Sequence, residues 1–128
     1  MTKTKAQQIM AATEARAADD VTAAIQDIAT EFEPYIIKQR RHFHKHPELS
    51  LAEERTTSDI ANQLDAMNIP YERPLKTGLV ATLRGTAPDA YREDGTPRRR
   101  ILLRADIDAL PVTEQTGYGV ISVNEGCM

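Results

Sequence analysis

The fold is decided by the stretch Ile101-Leu102-Leu103-Arg104-Ala105-Asp106-Ile107-Asp108-Ala109-Leu110-Pro111. Three apolar residues in succession are typical of a strand buried on both faces, as in the interior of an α/β sheet. Polar residues begin where this predicted strand ends, and in open α/β sheets sites are built at the carboxyl ends of strands. Asp106 and Asp108 are two positions apart, so in an extended chain both side chains point to the same side.

Two carboxylates on one side of a strand repel each other, bind a cation, or are each held by hydrogen bonds to other groups. The spacing of Asp106 and Asp108 leaves two interpretations open. They either form part of a site, or they are a strand-end pair satisfied by backbone amides and by Arg104.

The composition of the chain limits the classes of protein to which it can belong. With 128 residues, 41% hydrophobic and 27% charged, it is at most one globular domain. Its net charge of −3 argues against a general binder of nucleic acids or anionic membranes. A single cysteine excludes an internal disulfide, and no window approaches the roughly 18 apolar residues of a membrane span. Because the amino terminus also lacks the apolar core of a secretory signal, we expect a cytoplasmic protein.

The amino-terminal third of the chain is predicted to be helical. Residues 1–18 are predicted to be a polar helical or frayed extension, and residues 19–128 the domain itself. A helical apolar stripe follows the extension, and we expect it to pack on the domain, with a free partner-binding helix as the alternative. From Pro34 to about His44 we expect either a second helix or a kinked continuation. The stripe consists of Val21, Ala24, Ile25, Ile28 and Phe32.

The histidines near residue 44 raise the question of a metal site. His42 and His46 are four positions apart and could share a helix face, as metal-binding histidines do. Phe43, however, occupies the glutamate position of a His-Glu-x-x-His motif, and Pro47 pushes His46 out of helical geometry. We therefore interpret these residues as a helix end whose cations face the negative end of the helix dipole.

A second helix is predicted from a capping box, in which the Ser50 hydroxyl accepts from the Glu53 amide and the Glu53 carboxylate reaches back. The helix is expected over about residues 51–67, with Asn68 as a left-handed stop. Its predicted buried stripe consists of Thr57, Ile60, Ala61, Leu64 and Met67.

Two strands are predicted after this helix, a short one at residues 71–74 and a second at residues 79–83. Residues 85–99 contain two prolines, two glycines and an Asp-Gly pair, and we expect them to form a long exposed connection. The basic run at residues 98–100 is interpreted as the solvated start of the strand at residues 101–103 rather than as a phosphate-binding patch.

Four stretches of the chain resemble, in the same order, one metallopeptidase family. This is the aminoacylase/carboxypeptidase-like family, in its amidohydrolase branch with hippurate hydrolases, N-acyl-amino-acid amidohydrolases and auxin-conjugate hydrolases. The resemblance covers about residues 34–128 and implies an α/β fold. We expect amino-terminal helices followed by the first strands of a mixed-sheet, zinc-peptidase-like catalytic domain that is incomplete here. The four stretches are residues 40–50, 77–85, 103–111 and 114–118.

The resemblance also implies a chemistry. Full-length relatives bind two divalent metal ions, which are zinc, manganese, cobalt or nickel, and hydrolyse the amide bond of a small N-acyl amino acid or peptide-like substrate. The metals polarise the carbonyl and lower the pKa of a bridging water, and a glutamate acts as the base. Asp108 and Asp106 are the candidate catalytic residues, as carboxylates that orient metal ligands through hydrogen bonds.

The same resemblance places the ligand motif, His-Ala-Cys-Gly-His-Asp, immediately after the position of Met128. Cys127 is therefore not the ligand cysteine. We expect no metal ligand and no cofactor-binding residue in this chain, no bound metal and no hydrolase activity when it is isolated.

Two hypotheses follow. The chain is the amino-terminal portion of a metal-dependent amidohydrolase without its lid domain, or it is a non-catalytic short product that binds a partner such as a full-length relative. In either case the strands at residues 79–83 and 101–103 are expected to be left bare, so we predict self-association.

Overall fold

The computed structural model describes residues 5–117 and 119–128, with side chains described from residue 19 onward. It confirms an α/β chain in which helices come first and the first strands follow. The chain divides into two units, of which one ends at Arg41 and the other spans His42–Met128. In chain order the elements are the helices α1 (Lys5–Lys45) and α2 (Glu54–Ala66) and the strands β1 (Tyr71–Glu72) and β2 (Val80–Ala81).

Helix α1 is continuous over 41 residues with Pro34 inside it, so the predicted continuation is confirmed and a separate second helix is not formed. Its last turn carries His42, His44 and Lys45, where positive charge complements the helix dipole as predicted. Of the predicted extension, residues 5–18 are helical and residues 1–4 lie outside the described residues. Within the described part of the chain, neither helix is long and apolar enough to cross a membrane.

The apolar stripe of α1 is not buried. Val21, Ile25 and Ile28 are 56–61% exposed and Phe32 is 51% exposed. The packing of this stripe on the domain stays a prediction, because the stripe and residues 42–128 belong to different units. A 3.6-residue pattern determines which face of a helix is apolar, but it does not determine what covers that face.

The predicted capping box at the start of α2 is also wrong. The helix begins at Glu54, and the side chain of its N-cap residue Glu53 makes no capping hydrogen bond. The carboxylate of Glu48 takes this role instead. It accepts the Arg55 amide at 3.2 Å, the Thr56 amide at 2.7 Å and the Thr56 hydroxyl at 2.8 Å. An acidic group at this end of the helix satisfies free amides and complements the dipole.

A tight turn explains why Ser50 does not cap α2. The Ala52 amide donates to the Leu49 carbonyl at 3.0 Å, and Leu51 adopts a left-handed φ of 67°. This turn lies between Glu48 and the helix, and its closure folds the Glu48 side chain back onto the first turn of α2. Leu51 itself is 83% exposed, so its side chain contributes little burial.

The buried face of α2 is smaller than the sequence predicts. Thr57 and Ala61 are each 1% exposed, Leu64 is half-buried, and Met67 is 54% exposed. The predicted helix stop is confirmed, because Asn68 follows the helix with φ 55°. Burial is therefore concentrated at the first two turns of the helix.

Strands β1 and β2 pair antiparallel, with Tyr71 opposite Ala81. The strands predicted at residues 71–74 and 79–83 are thus present but only two residues long. The connection between them is tied to α2, because the Gly78 amide donates to the Thr57 hydroxyl oxygen at 2.8 Å. Since Gly78 has φ 78°, this close approach uses the conformational freedom of glycine.

The predicted interior strand at residues 101–103 is not formed. Ile101, Leu102 and Leu103 are 88–90% exposed and belong to no strand. An apolar run becomes a buried strand only where neighbouring strands pair with it and another layer covers it, and in the described part of the chain no strand pairs with this run. The connection at residues 85–99 contains no helix and no named strand, as predicted, although Tyr91 and Pro97 form an isolated antiparallel bridge within it.

Candidate functional site

The candidate carboxylates Asp106 and Asp108 lie on an exposed, irregular segment. The Arg104 guanidinium donates to the Asp106 carboxylate from Nη2 at 2.8 Å and from Nε at 3.2 Å. Both side chains of this pair are largely exposed, at 82% and 71%. Asp106 is therefore held by Arg104, as one of the two interpretations predicts. Because the segment is not a strand, its two carboxylates do not lie on one face of a strand.

The residues that follow Asp108 are held in place by backbone hydrogen bonds. The Ala109 amide donates to the Glu48 carbonyl at 2.9 Å, and Ala109 forms a parallel bridge with Leu49. Leu110 and Met128 exchange two bonds, with N···O distances of 2.8 and 3.0 Å. The candidate segment is thus fixed both to the residues before α2 and to residue 128.

A buried carboxylate anchors the loop that follows. The Glu114 side chain is only 5% exposed, and its Oε1 lies 3.0 Å from His44 Nε2. The Thr116 hydroxyl also donates to Oε1, and the Ser122 amide donates to Oε2 at 2.7 Å. The Thr116 hydroxyl is the largest cause of a lowered Glu114 pKa, followed by the Ser122 amide, with His44 a smaller contributor. These donors stabilise the ionised carboxylate.

The other two histidines lie together near the start of α2. His42 Nε2 lies 2.8 Å from Asp59 Oδ2, within hydrogen-bond distance of the carboxylate. The His46 ring centre lies 5.3 Å from that of His42. Loss of hydration lowers the pKa of His46, and its basic neighbours Arg55, His42 and Lys45 lower it further, against a smaller raising effect of Asp59. The site therefore favours neutral His46.

Hydrogen bonds also tie the loop at residues 123–124 to residues 44–49, which we call the histidine-proline segment. The Val123 amide donates to the Lys45 carbonyl at 2.9 Å, and the Asn124 side-chain amide donates to the Pro47 carbonyl. Together with the bonds to Ala109 and Glu114, these contacts make this segment the common anchor of the loops between residues 109 and 124.

The residues present do not fit a centre of two metal ions. Within the described residues there is no group of three or more histidine, cysteine or acidic side chains that could hold a metal ion. The Nε2 atoms of His42 and His44 face carboxylates, and Asp106 faces Arg104. Cys127 is a free thiol, 8% exposed.

The two glutamates that hold this region together, Glu48 and Glu114, lie in the resembling stretches 40–50 and 114–118, but no role was predicted for either. Glu48 precedes a helix by six positions, and an acidic residue just before a helix is the signal that could have found it. The pairing of Glu114 with His44 had no local signal, because the two residues are 70 positions apart in the chain.

Comparison with known proteins finds hydrolases to which part of this chain is similar. No family model matches it. An uncharacterized hydrolase of Staphylococcus epidermidis is 42% identical over 94 residues, which cover 73% of this chain and 22% of the relative. Among solved structures, the YxeP protein of Bacillus subtilis, described as a dinuclear metal-binding peptidase of the M20 family, has a TM-score of 0.64 and 38% identity over 77% of this chain and 26% of that one.

A second solved structure, a protein of methicillin-resistant Staphylococcus aureus provisionally described as an aminohydrolase, has a TM-score of 0.65 and 33% identity. It matches over 80% of this chain and 25% of its own length. The chain thus spans about a fifth to a quarter of the proteins that it matches. The predicted resemblance is confirmed at the level of M20-type hydrolases, to part of which this chain is similar.

Proposed function

We propose that this chain is the amino-terminal portion of a metal-dependent amidohydrolase that cleaves the amide bond of N-acyl amino acids or related conjugates. The observation that carries the proposal is the similarity, at 38% identity over 77% of the chain, to a dinuclear metal-binding peptidase. The amidohydrolase branch and its substrates are supported by the four motifs in order, above all by residues 103–111.

Asp108 is proposed to orient a metal ligand in that enzyme, with Asp106 as a further candidate. The proposal is supported by the paired bonds between Leu110 and Met128, because in the resembling family the ligand motif follows the position of Met128. A chain continuing from that point would start close to Asp108. In full-length relatives two divalent ions would polarise the amide carbonyl and activate water. No step of that reaction is assigned to the residues described here, since their donor set does not fit two metal ions.

Three finer proposals belong with this function. Residues 1–18 form an extension, and residues 19–128 form the amino-terminal part of the catalytic domain. The protein is cytoplasmic, in keeping with its single cysteine. The isolated chain of 128 residues has no hydrolase activity, because metal ligands must converge at one place for a metal site to form.

The direct test is the intact mass, in the source cells, of the polypeptide that carries this amino terminus. We expect a species much larger than 14.3 kDa. That species, once purified, should release the amino acid from an N-acyl amino acid, and a chelator should abolish the release. A native species of 14.3 kDa, or a larger one without chelator-sensitive turnover, would contradict the proposal.

One observation favours a second function, the binding of a full-length relative. Ile101, Leu102 and Leu103 form an apolar run that is 88–90% exposed, and such a run is suited to pair with a strand of another chain. Copurification of a full-length relative with a native 14.3 kDa species would support this function. A 14.3 kDa species that stays free of such a relative would contradict it.

A further inference from the structure

The connection at residues 85–99 contains a hollow of about 580 Å³. This volume is within the range of small-molecule sites. Three of the five residues that line the hollow are arginines, and one is acidic. The lining residues are Asp89, Ala90, Arg92, Arg98 and Arg99.

The backbone around the hollow is fixed by a short hairpin. Tyr91 pairs antiparallel with Pro97, and the Arg92 amide donates to the Thr96 carbonyl at 2.8 Å. At the tip, the Asp94 carboxylate accepts the amide of Thr96 at 2.9 Å and its hydroxyl at 2.6 Å. Together with the bond from the Arg98 amide to the Ala90 carbonyl at 2.9 Å, these bonds fix the backbone that carries Arg92 and Arg98.

The hollow carries an excess of positive charge. Arg92 is oriented by its own hairpin, because its Nη1 donates to the Pro97 carbonyl at 3.1 Å and to the Thr96 hydroxyl at 3.3 Å. The guanidinium groups of Arg98 and Arg99 have no hydrogen-bond or ion-pair partner within the part of the chain that the structure describes. Against these three cations stands only the Asp89 carboxylate in the lining.

The interpretation of the basic run as the start of a strand no longer holds, because residues 101–103 form no strand. Guanidinium groups bind phosphate and carboxylate groups with paired hydrogen bonds. A carboxylate has two oxygens in one plane, whereas a terminal phosphate has three acceptor oxygens that point in different directions. Three arginines around one hollow are therefore better matched to phosphate.

We propose that this hollow is a binding site for the phosphate group of a small phosphorylated molecule, held by Arg92, Arg98 and Arg99. The Asp89 carboxylate in its lining would accept hydrogen bonds from hydroxyl groups of the same ligand. The site is separate from the proposed amidohydrolase function, because none of its residues takes part in the contacts around Asp108 or the histidine-proline segment.

The test is calorimetric titration of the purified chain with inorganic pyrophosphate at low salt. We expect saturable binding at one site, with Arg98→Gln and Arg99→Gln each weakening it about tenfold, as expected for the loss of one charge-assisted contact. Arg100→Gln is the matched control, because it removes the same charge from the neighbouring position, which does not line the hollow. We expect it to change the affinity less than about twofold.

Several results would overturn the proposal. Absence of saturable binding at millimolar pyrophosphate would exclude the site. If Arg100→Gln weakened binding as much as Arg98→Gln, the binding would be due to general charge attraction rather than to this hollow. Equally tight binding of citrate would contradict the phosphate assignment. Because the arginines are exposed, we expect the variants to keep the hairpin, which the Thr96 amide resonance reports. Arg99→Lys should also weaken binding, because it keeps the positive charge but loses the planar guanidinium group with its paired hydrogen-bond donors.

Discussion

Replacing Glu48 with alanine should destabilise the start of α2. Its half-buried carboxylate accepts the amides of Arg55 and Thr56 and the Thr56 hydroxyl, and it lies at the positive end of the helix dipole. Loss of a helix cap costs about 1 kcal/mol, and loss of a favourable charge at this end about 0.5–1 kcal/mol more. We therefore expect a loss of about 2 kcal/mol, which is an increase of about 30-fold in the opening constant of the helix.

The assay is amide hydrogen exchange followed by NMR in the middle of α2, at Ile60 and Ala61, whose amides do not contact Glu48 directly. The matched control is Glu54→Ala. Glu54 is also an acidic residue of the first turn, but its side chain is 61% exposed and pairs only with Lys76 on the surface. An exposed ion pair of this kind contributes little, so we expect less than about a threefold change.

Exchange of these amides that stays within the range of the control in Glu48→Ala would show that Glu48 does not cap α2. The same conclusion would follow if Glu53→Ala, at the N-cap position, accelerated exchange while Glu48→Ala did not. Ser50 would then regain its predicted place as the capping residue together with Glu53.

Further predictions concern other contacts. Thr57→Val should lower the free energy of unfolding by about 2 kcal/mol, because it leaves the Gly78 amide without its acceptor, and an unchanged urea midpoint would contradict this. The lowered pKa of Glu114 means that its stabilisation is fully present above the ordinary value of 4.5 and is lost as the pH falls through the lower folded-state pKa. The Ser122 amide resonance should follow that loss, and a midpoint at or above 4.5 would count against it. Leu102→Lys should reduce self-association in sedimentation velocity, since this side chain is 88% exposed, and unchanged association would exclude this surface.

The local pattern of the sequence predicted the elements better than it predicted their ends. The stripe through Thr57 and Ala61 located α2, and Asn68 before a proline located its stop, because both signals act within a few residues. The capping residue was wrong because a turn with left-handed Leu51 brings in Glu48 from outside the motif. Such a turn depends on tertiary contacts that no short window contains.

In the candidate site, too, only contacts between residues close in sequence could be predicted. The Arg104–Asp106 pair could be predicted, since its members are two positions apart. The pairing of His44 with Glu114 could not, because it joins residues 70 positions apart through a loop without regular structure. The run at residues 101–103 has the composition of an interior strand, but burial depends on neighbouring strands rather than on the run itself.

We expect this chain to hold the framework around Asp108 without the ligands of a metal centre. The most direct measurement is zinc titration of the purified chain of 128 residues by calorimetry, with turnover of an N-acyl amino acid measured on the same sample with and without chelator. We expect no stoichiometric tight binding of zinc and no turnover. One or two zinc ions bound tightly, with turnover that the chelator abolishes, would contradict the claim.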